Sequence, residues 1–284
     1  MIEKTITGLF DLNFLKACNT PVFLGPNSIG FRILENNSRS YYYLKFTKIP
    51  EGFSLNRDND LLKKICSFRN DLFLPFLDIC ILENPFYFSG TSYGLITLHP
   101  FKEINPIWYF ERYSYNYKIL INFWILKAFN ELHLKDILHG DINIQNIGLT
   151  TLFSKTIPIL YDLNILKKSD NSNLEIFISP EFMAPEVIES GIYDLKSELW
   201  AIGVLLFAIN TKELPFGRRS KKSINILSNI NQLNIDKAVE KSPQSIRIVI
   251  KGLLKLNPNE RLSIDEAINL MKKESNWLFR ILIN

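Results

Sequence analysis

Residues 137–149 read ILHGDINIQNIGL, an apolar run interrupted by His139, Asp141, Asn143 and Asn146. Carboxylates and carboxamides are costly to bury, so isoleucines and leucines on both sides of them read as a rigid floor that holds a few polar groups in place. A second apolar run, IPILYDLN at 157–164, follows and ends on Asp162. Two short β-type runs flanking a polar loop would carry Asp141, Asn146 and Asp162 towards one point. Two carboxylates and a carboxamide suit a hard divalent cation such as Mg²⁺, which prefers oxygen ligands and shares them with phosphates.

Outward from this stretch, the chain divides by pattern. Between Pro21 and Phe101 the runs PVFLG, FRIL, YYYLKF and YGLITL are rich in β-branched and aromatic residues and bounded by Gly, Asn and Pro, which predicts short strands. LNRDNDLLKKICSF, from Leu55, has Leu55, Leu61, Leu62 and Ile65 near helical spacing and predicts one helix among them. After HPFKEINP, a connector, the pattern turns helical. YKILINFWILKAFNELH, ending at His133, predicts a mostly buried helix, and further helices are expected at Leu195 to Asn210, Gln244 to Leu256 and Ile264 to Lys273. The fold class is α+β: a small sheet-rich part with one helix, followed by a larger, mainly helical part.

Composition sets outer bounds. The 284 residues, 46% hydrophobic and 22% charged, are enough for one large core or two lobes without a bias to disorder. The net charge of +4 is dispersed, and its one dense spot, RRSKK at Arg218 to Lys222, reads as a solvated loop, so no nucleic-acid partner is expected. Cys18, Cys66 and Cys80 form no C-x-x-C pair and predict a reducing compartment, cytoplasm or nucleus. No signal peptide is expected from MIEKTITGLF, and the apolar stretch Leu199 to Asn210 is short of the ~20 residues that span a bilayer.

HGDINIQN resembles the catalytic loop H-R-D-x-x-x-x-N of protein kinases, and DLN at Asp162 resembles the D-F-G that follows it. MAPE at Met183 to Glu186 is similar to A-P-E, and YDLKSELWAIGVLL, LPFG and LLKLNPNERLS resemble later landmarks, so the likeness runs from Gly25 to Arg261. The resemblance implies a bilobal kinase fold, with an N-lobe at 1–98 and a C-lobe at 99–284. It implies ATP and Mg²⁺ as cofactors and a serine or threonine hydroxyl of a protein as substrate. Asp141 would orient the substrate hydroxyl, Asn146 and Asp162 would hold metal, and Lys45, in YYYLKF, would pair with the phosphates. LGPNSIG would be the glycine-rich loop, with Gly25 and Gly30 kept and Asn27 between them. Asp58 would be the acidic partner of Lys45, with Asp60 as the alternative. Thr97 would gate the adenine pocket, with Leu98 and His99 along its edge.

The resemblance also implies supporting roles. In ISPEFMAPE, Ser179 would bond Asp141 and points to serine/threonine over tyrosine. His139 would be structural, Glu198 would brace the catalytic loop's backbone, and Arg261 would pair with Glu186. Gly140 stands where an arginine usually receives an activation-segment phosphate, which argues against that mode of control. Asn143 stands where a lysine usually touches the transferred phosphate, and Asn164 where a glycine is usual. Two other readings share parts of the pattern. A pseudokinase would account for Asn27, Asp58, Asn143, Asn164 and Glu198, and small-molecule phosphotransferases of the aminoglycoside or choline kinase type also use H-G-D-x-x-x-x-N. SPEFMAPE and NERLS argue against the latter. Oligomeric state is not legible.

Overall fold

Strict alternation builds the first sheet. In SIGFRIL and YYYLKFT every second side chain is apolar, so one face of each strand can be buried without stranding the other, while LITL is buried on both faces. The computed structural model describes residues 23–24, 28–34, 41–48, 71–74, 77–100, 102–163, 179–217 and 229–275. The chain forms two units, Met1–Glu103 and Ile104–Asn284.

In the first unit β1 (Phe23–Leu24), β2 (Ser28–Leu34), β3 (Tyr41–Thr47), β4 (Asp78–Phe88) and β5 (Thr91–Pro100) form an antiparallel sheet in the order β1-β2-β3-β5-β4. Ile29, Phe31, Ile33, Leu44, Phe46, Ile96 and Leu98 make its apolar cluster, with Phe31 meeting Phe46 edge to face at 5.8 Å between ring centroids. Four strands follow the sequence reading; β4 does not, because Asn84 and Pro85 break its alternation. The register shifts between Ile81 and Phe86, a bulge of the kind that accommodates a residue with no N–H to donate. The division between the units falls after Glu103, not after Leu98, because His99 and Pro100 still pair with Tyr43 and Tyr42. The helix expected from Leu55, with Asp58, lies outside the described residues, as do Gly25, Asn27, Asn164 and Arg218 to Lys222.

In the second unit β6 (Asn105–Pro106), β7 (Ile147–Leu152) and β8 (Lys155–Leu160) form a small antiparallel sheet in that order. Its described helices are α1 (Tyr115–His133), α2 (Pro185–Ser190), α3 (Leu195–Thr211), α4 (Gln232–Val239), α5 (Gln244–Leu253) and α6 (Ile264–Glu274). Ser114 caps α1, and reciprocal Asp194–Ser197 and Ser263–Glu266 boxes start α3 and α6, satisfying N–H groups that have no helical partner. Every residue of α3 from Ser197 to Ile209 is buried, which is why its sequence is apolar all round. Inside this packing Asn122 of α1 and Asn210 of α3 exchange carboxamide hydrogen bonds at 3.0 and 3.2 Å. Among the described residues no helix is long and apolar enough to cross a membrane.

Candidate active site

The loop after α1 is held from below. Ile137, Leu138 and Ile142 are buried, and the backbone between them is fixed by one carboxylate. Glu198, 0% exposed, accepts the N–H of His139 at 3.0 Å and His133 Nε2 at 2.9 Å on Oε1, and the N–H of Gly140 at 3.0 Å and the Tyr193 hydroxyl at 2.9 Å on Oε2. Burial pushes this carboxyl up, but the His133 side chain and the His139 N–H more than offset it and hold it below the ordinary value. The bracing expected of Glu198 is therefore present, with one carboxylate serving both N–H groups at once.

Gly140 has φ +77°, a left-handed conformation that costs a residue bearing Cβ roughly 1 kcal/mol or more. Its N–H bonds Glu198. His139 is buried with its ring 6.0 Å from that of Phe129, and its Nδ1 accepts the N–H of Asp141 at 3.4 Å. Burial pushes its imidazole below the ordinary 6.5, against the pull of Glu198, Asp141 and Asp162, which suits the structural role the sequence implied.

Asp141 is fixed by two carboxamides. Asn143 Nδ2 donates to Asp141 Oδ1 at 3.1 Å, and Asn146 Nδ2 donates to Oδ2 at 2.9 Å and to the Asp141 main-chain oxygen at 2.8 Å. Asn143 Oδ1 in turn accepts the N–H groups of Gln145 and Asn146, at 2.7 and 3.2 Å, and so caps the short helical turn Ile144–Asn146. Burial raises the Asp141 carboxyl above the ordinary 3.8; His139 and the two carboxamides pull it down and Asp162 pushes it further up. A carboxylate with raised basicity, positioned from both sides, can accept a proton from a hydroxyl.

Asp162 follows β8, where the N–H of Tyr161 bonds the carbonyl of Asn146 at 3.1 Å and ties the two segments together. Its φ is +62°, unusual for a residue with a side chain and of the kind found at functional sites. With Asn146 Nδ2 spent on Asp141, the oxygen of that carboxamide is the atom left to ligate. Asp162 and Asn146 thus supply the oxygen chemistry that suits Mg²⁺. Among the described residues no group of three or more His, Cys, Asp and Glu side chains gathers to hold a metal ion. Ser179 starts the turn Pro180–Phe182, but the bond expected from it to Asp141 is not formed; Asn143 and Asn146 take the Asp141 oxygens instead.

In the first unit Lys45 lies on β3 opposite Gly30 of β2 and Thr97 of β5. Thr97 and His99 share its face, with His99 Nε2 and Thr97 Oγ1 2.9 Å apart. Leu98 turns the other way, into the apolar cluster, and its carbonyl accepts the N–H of Leu77 at 2.8 Å. Thr97 and Leu98 sit within the sheet, where the pairing with β3 continues to Pro100.

Below the loop, Glu186 and Arg261 form the expected pair, Nη1 to Oε1 at 2.5 Å and Nη2 to Oε2 at 2.7 Å. Arg261 also donates to the carbonyls of Lys255 and Lys196 and lies over the Trp200 ring, 5.1 Å from its centroid. Sequence reasoning missed His133 and Tyr193 as partners of Glu198. The signal available for His133 was a polar residue closing an otherwise apolar helix.

Residues 113–271 match the family model described as the protein kinase domain. Over 223 residues the chain is 30% identical to Serine/threonine-protein kinase ATG1 of Debaryomyces hansenii, covering 68% of this chain and 25% of that protein. It is 24% identical over 230 residues to Serine/threonine-protein kinase nekl-2 of Caenorhabditis elegans, covering 77% and 61%. With the Meiosis-specific serine/threonine-protein kinase MEK1 of Saccharomyces cerevisiae it shares 32% identity over 173 residues, 53% of this chain and 35% of that one. The chain thus spans between a quarter and about three fifths of these relatives' lengths.

Proposed function

Because the chain belongs to the protein kinase domain family, we propose that it transfers the γ-phosphoryl group of ATP, with Mg²⁺, to serine or threonine hydroxyls of a protein substrate. The observation that carries this reading is the clamp on Asp141: Asn143 and Asn146 hold its two carboxylate oxygens at 3.1 and 2.9 Å while burial raises its basicity. Asp141 receives the proton of the attacking hydroxyl. Asn146 and Asp162 provide metal ligands, and Lys45 provides the cation for the nucleotide phosphates. Bound Mg²⁺ would neutralise charge on those phosphates, which is most of what phosphoryl transfer requires of an enzyme. The serine/threonine preference is supported by the sequence ISPEFMAPE and by the similarity to proteins named as serine/threonine-protein kinases. Three unpaired-pattern cysteines support a reducing compartment, cytoplasm or nucleus.

The test is transfer of labelled γ-phosphate to serine, threonine and tyrosine peptide libraries and to small hydroxyl metabolites. Asp141→Asn, shown by circular dichroism to be folded, is expected to abolish transfer to serine and threonine peptides. Undiminished transfer by that variant, or transfer to metabolites alone, overturns the reading.

A further inference from the structure

On β3, Tyr43 stands two residues before Lys45 and so shares its face. The register sets Gly30 and Thr97 opposite Lys45, and Arg32 and His99 opposite Tyr43. These six positions make one side of the sheet, the side that the kinase reading gives to the nucleotide. The Tyr43 phenol covers Gly30 so closely that a Cβ built there would overlap its hydroxyl and ring. At its other end the ring faces His99, with centroids 6.2 Å apart and planes tilted by 43°. His99 is itself tied to Thr97. One aromatic side chain therefore spans from the glycine where phosphate is expected to approach to the residues expected to meet the base. Tyr41, on the same face, is different: it is 46% exposed and carries the Arg32 guanidinium 3.8 Å above its ring.

We propose that Tyr43 is a built-in gate on this chain's nucleotide site, its ring occupying the space a purine base needs. The proposal rests on the nucleotide-binding reading of Lys45, Thr97 and His99. A flat ring and a purine cannot fill the same layer against the sheet, so nucleotide binds only when Tyr43 turns to another staggered rotamer. Gly30 is what allows the closed position, because any side chain there would lift the ring. Apparent affinity is reduced by the fraction of molecules in which the ring has moved.

The full chain is titrated with ATP and Mg²⁺ by calorimetry, alongside folded Tyr43→Ala, Tyr43→Val, Tyr43→Phe and Tyr41→Ala variants. Tyr43→Ala is expected to bind about tenfold more tightly than the unaltered chain, with Tyr43→Val moving the same way. Tyr43→Phe and Tyr41→Ala should leave the affinity unchanged, since the first keeps the ring and the second alters a residue outside the covered layer. If either small variant is folded and binds no better than the unaltered chain, the gate is refuted while the nucleotide site stands. Absence of binding by the unaltered chain and by both small variants at millimolar ATP refutes the nucleotide reading itself, and the gate with it.

Discussion

Asn143 reaches back to Asp141, its Nδ2 3.1 Å from Oδ1, while its own Oδ1 gathers the N–H groups of Gln145 and Asn146. A residue whose place in the motif suggested only a missing lysine is therefore the link between the acidic group and the turn that carries Asn146. Asn143→Ala removes that link without touching the second carboxamide. We expect kcat for peptide phosphorylation to fall about tenfold with KM little changed, the size of effect that misplacing a general base produces. The acid limb of the kcat/KM profile should move to higher pH, because the variant loses a donor that favours the ionised form of Asp141. An unchanged profile would assign Asn143 to the turn alone.

Glu198 and His139 give the second unit a pH dependence with a definite sign. Both are pushed below their ordinary values in the folded protein. For Glu198 the stabilisation is present above the carboxylate's ordinary value and is lost as pH falls through the depressed one. For His139, the unfolded chain takes up a proton below 6.5 that the folded chain resists, so stability declines as pH falls below that value. The urea midpoint should therefore drop on acidification from neutral pH. Replacing His139 by Phe should flatten the part of that drop nearest neutrality; a midpoint just as steep in the variant would show that His139 does not carry it.

Arg261 is 3% exposed and bidentate to Glu186, which is partly open to solvent. Arg261→Leu should cost ~3–5 kcal/mol, because carbonyls and a carboxylate lose their donor in a closed site. Glu186→Gln should cost clearly less, since the guanidinium keeps its bonds to the Lys255 and Lys196 carbonyls. Equal costs, measured by chemical denaturation, would argue against this asymmetry.

The parts of the fold that were legible in the sequence are those fixed by local period. Tyr41–Thr47 alternates and Leu199–Ile209 is apolar throughout, and each appears as its pattern predicts. Asp78–Phe88 was missed because Pro85 interrupts the pattern at the bulge. Gln232–Val239 was missed because its eight residues bury only Ile235, Ala238 and Val239. At the candidate site, Asp141, Asn146 and Asp162 were legible as residue types at a spacing. The side-chain partners of Glu198 were not, because His133 and Tyr193 come from separate stretches that only tertiary packing brings together. The extent of the β3–β5 pairing was not legible for a related reason: how far two strands pair is a matter of register, which no single strand encodes.

The carboxylate of Glu198 also makes activity a proxy for folding in this chain. Helix α1 through His133, the loop through His139 and Gly140, and the segment before α3 through Tyr193 all end on its two oxygens. A variant library scored by phosphorylation alone would group positions 133 and 193 with position 141, although only the last touches a reactant in the proposed reaction. Scoring the same library in parallel by protease resistance would separate them, with damage at 133 and 193 visible in both readouts and damage at 141 visible in one.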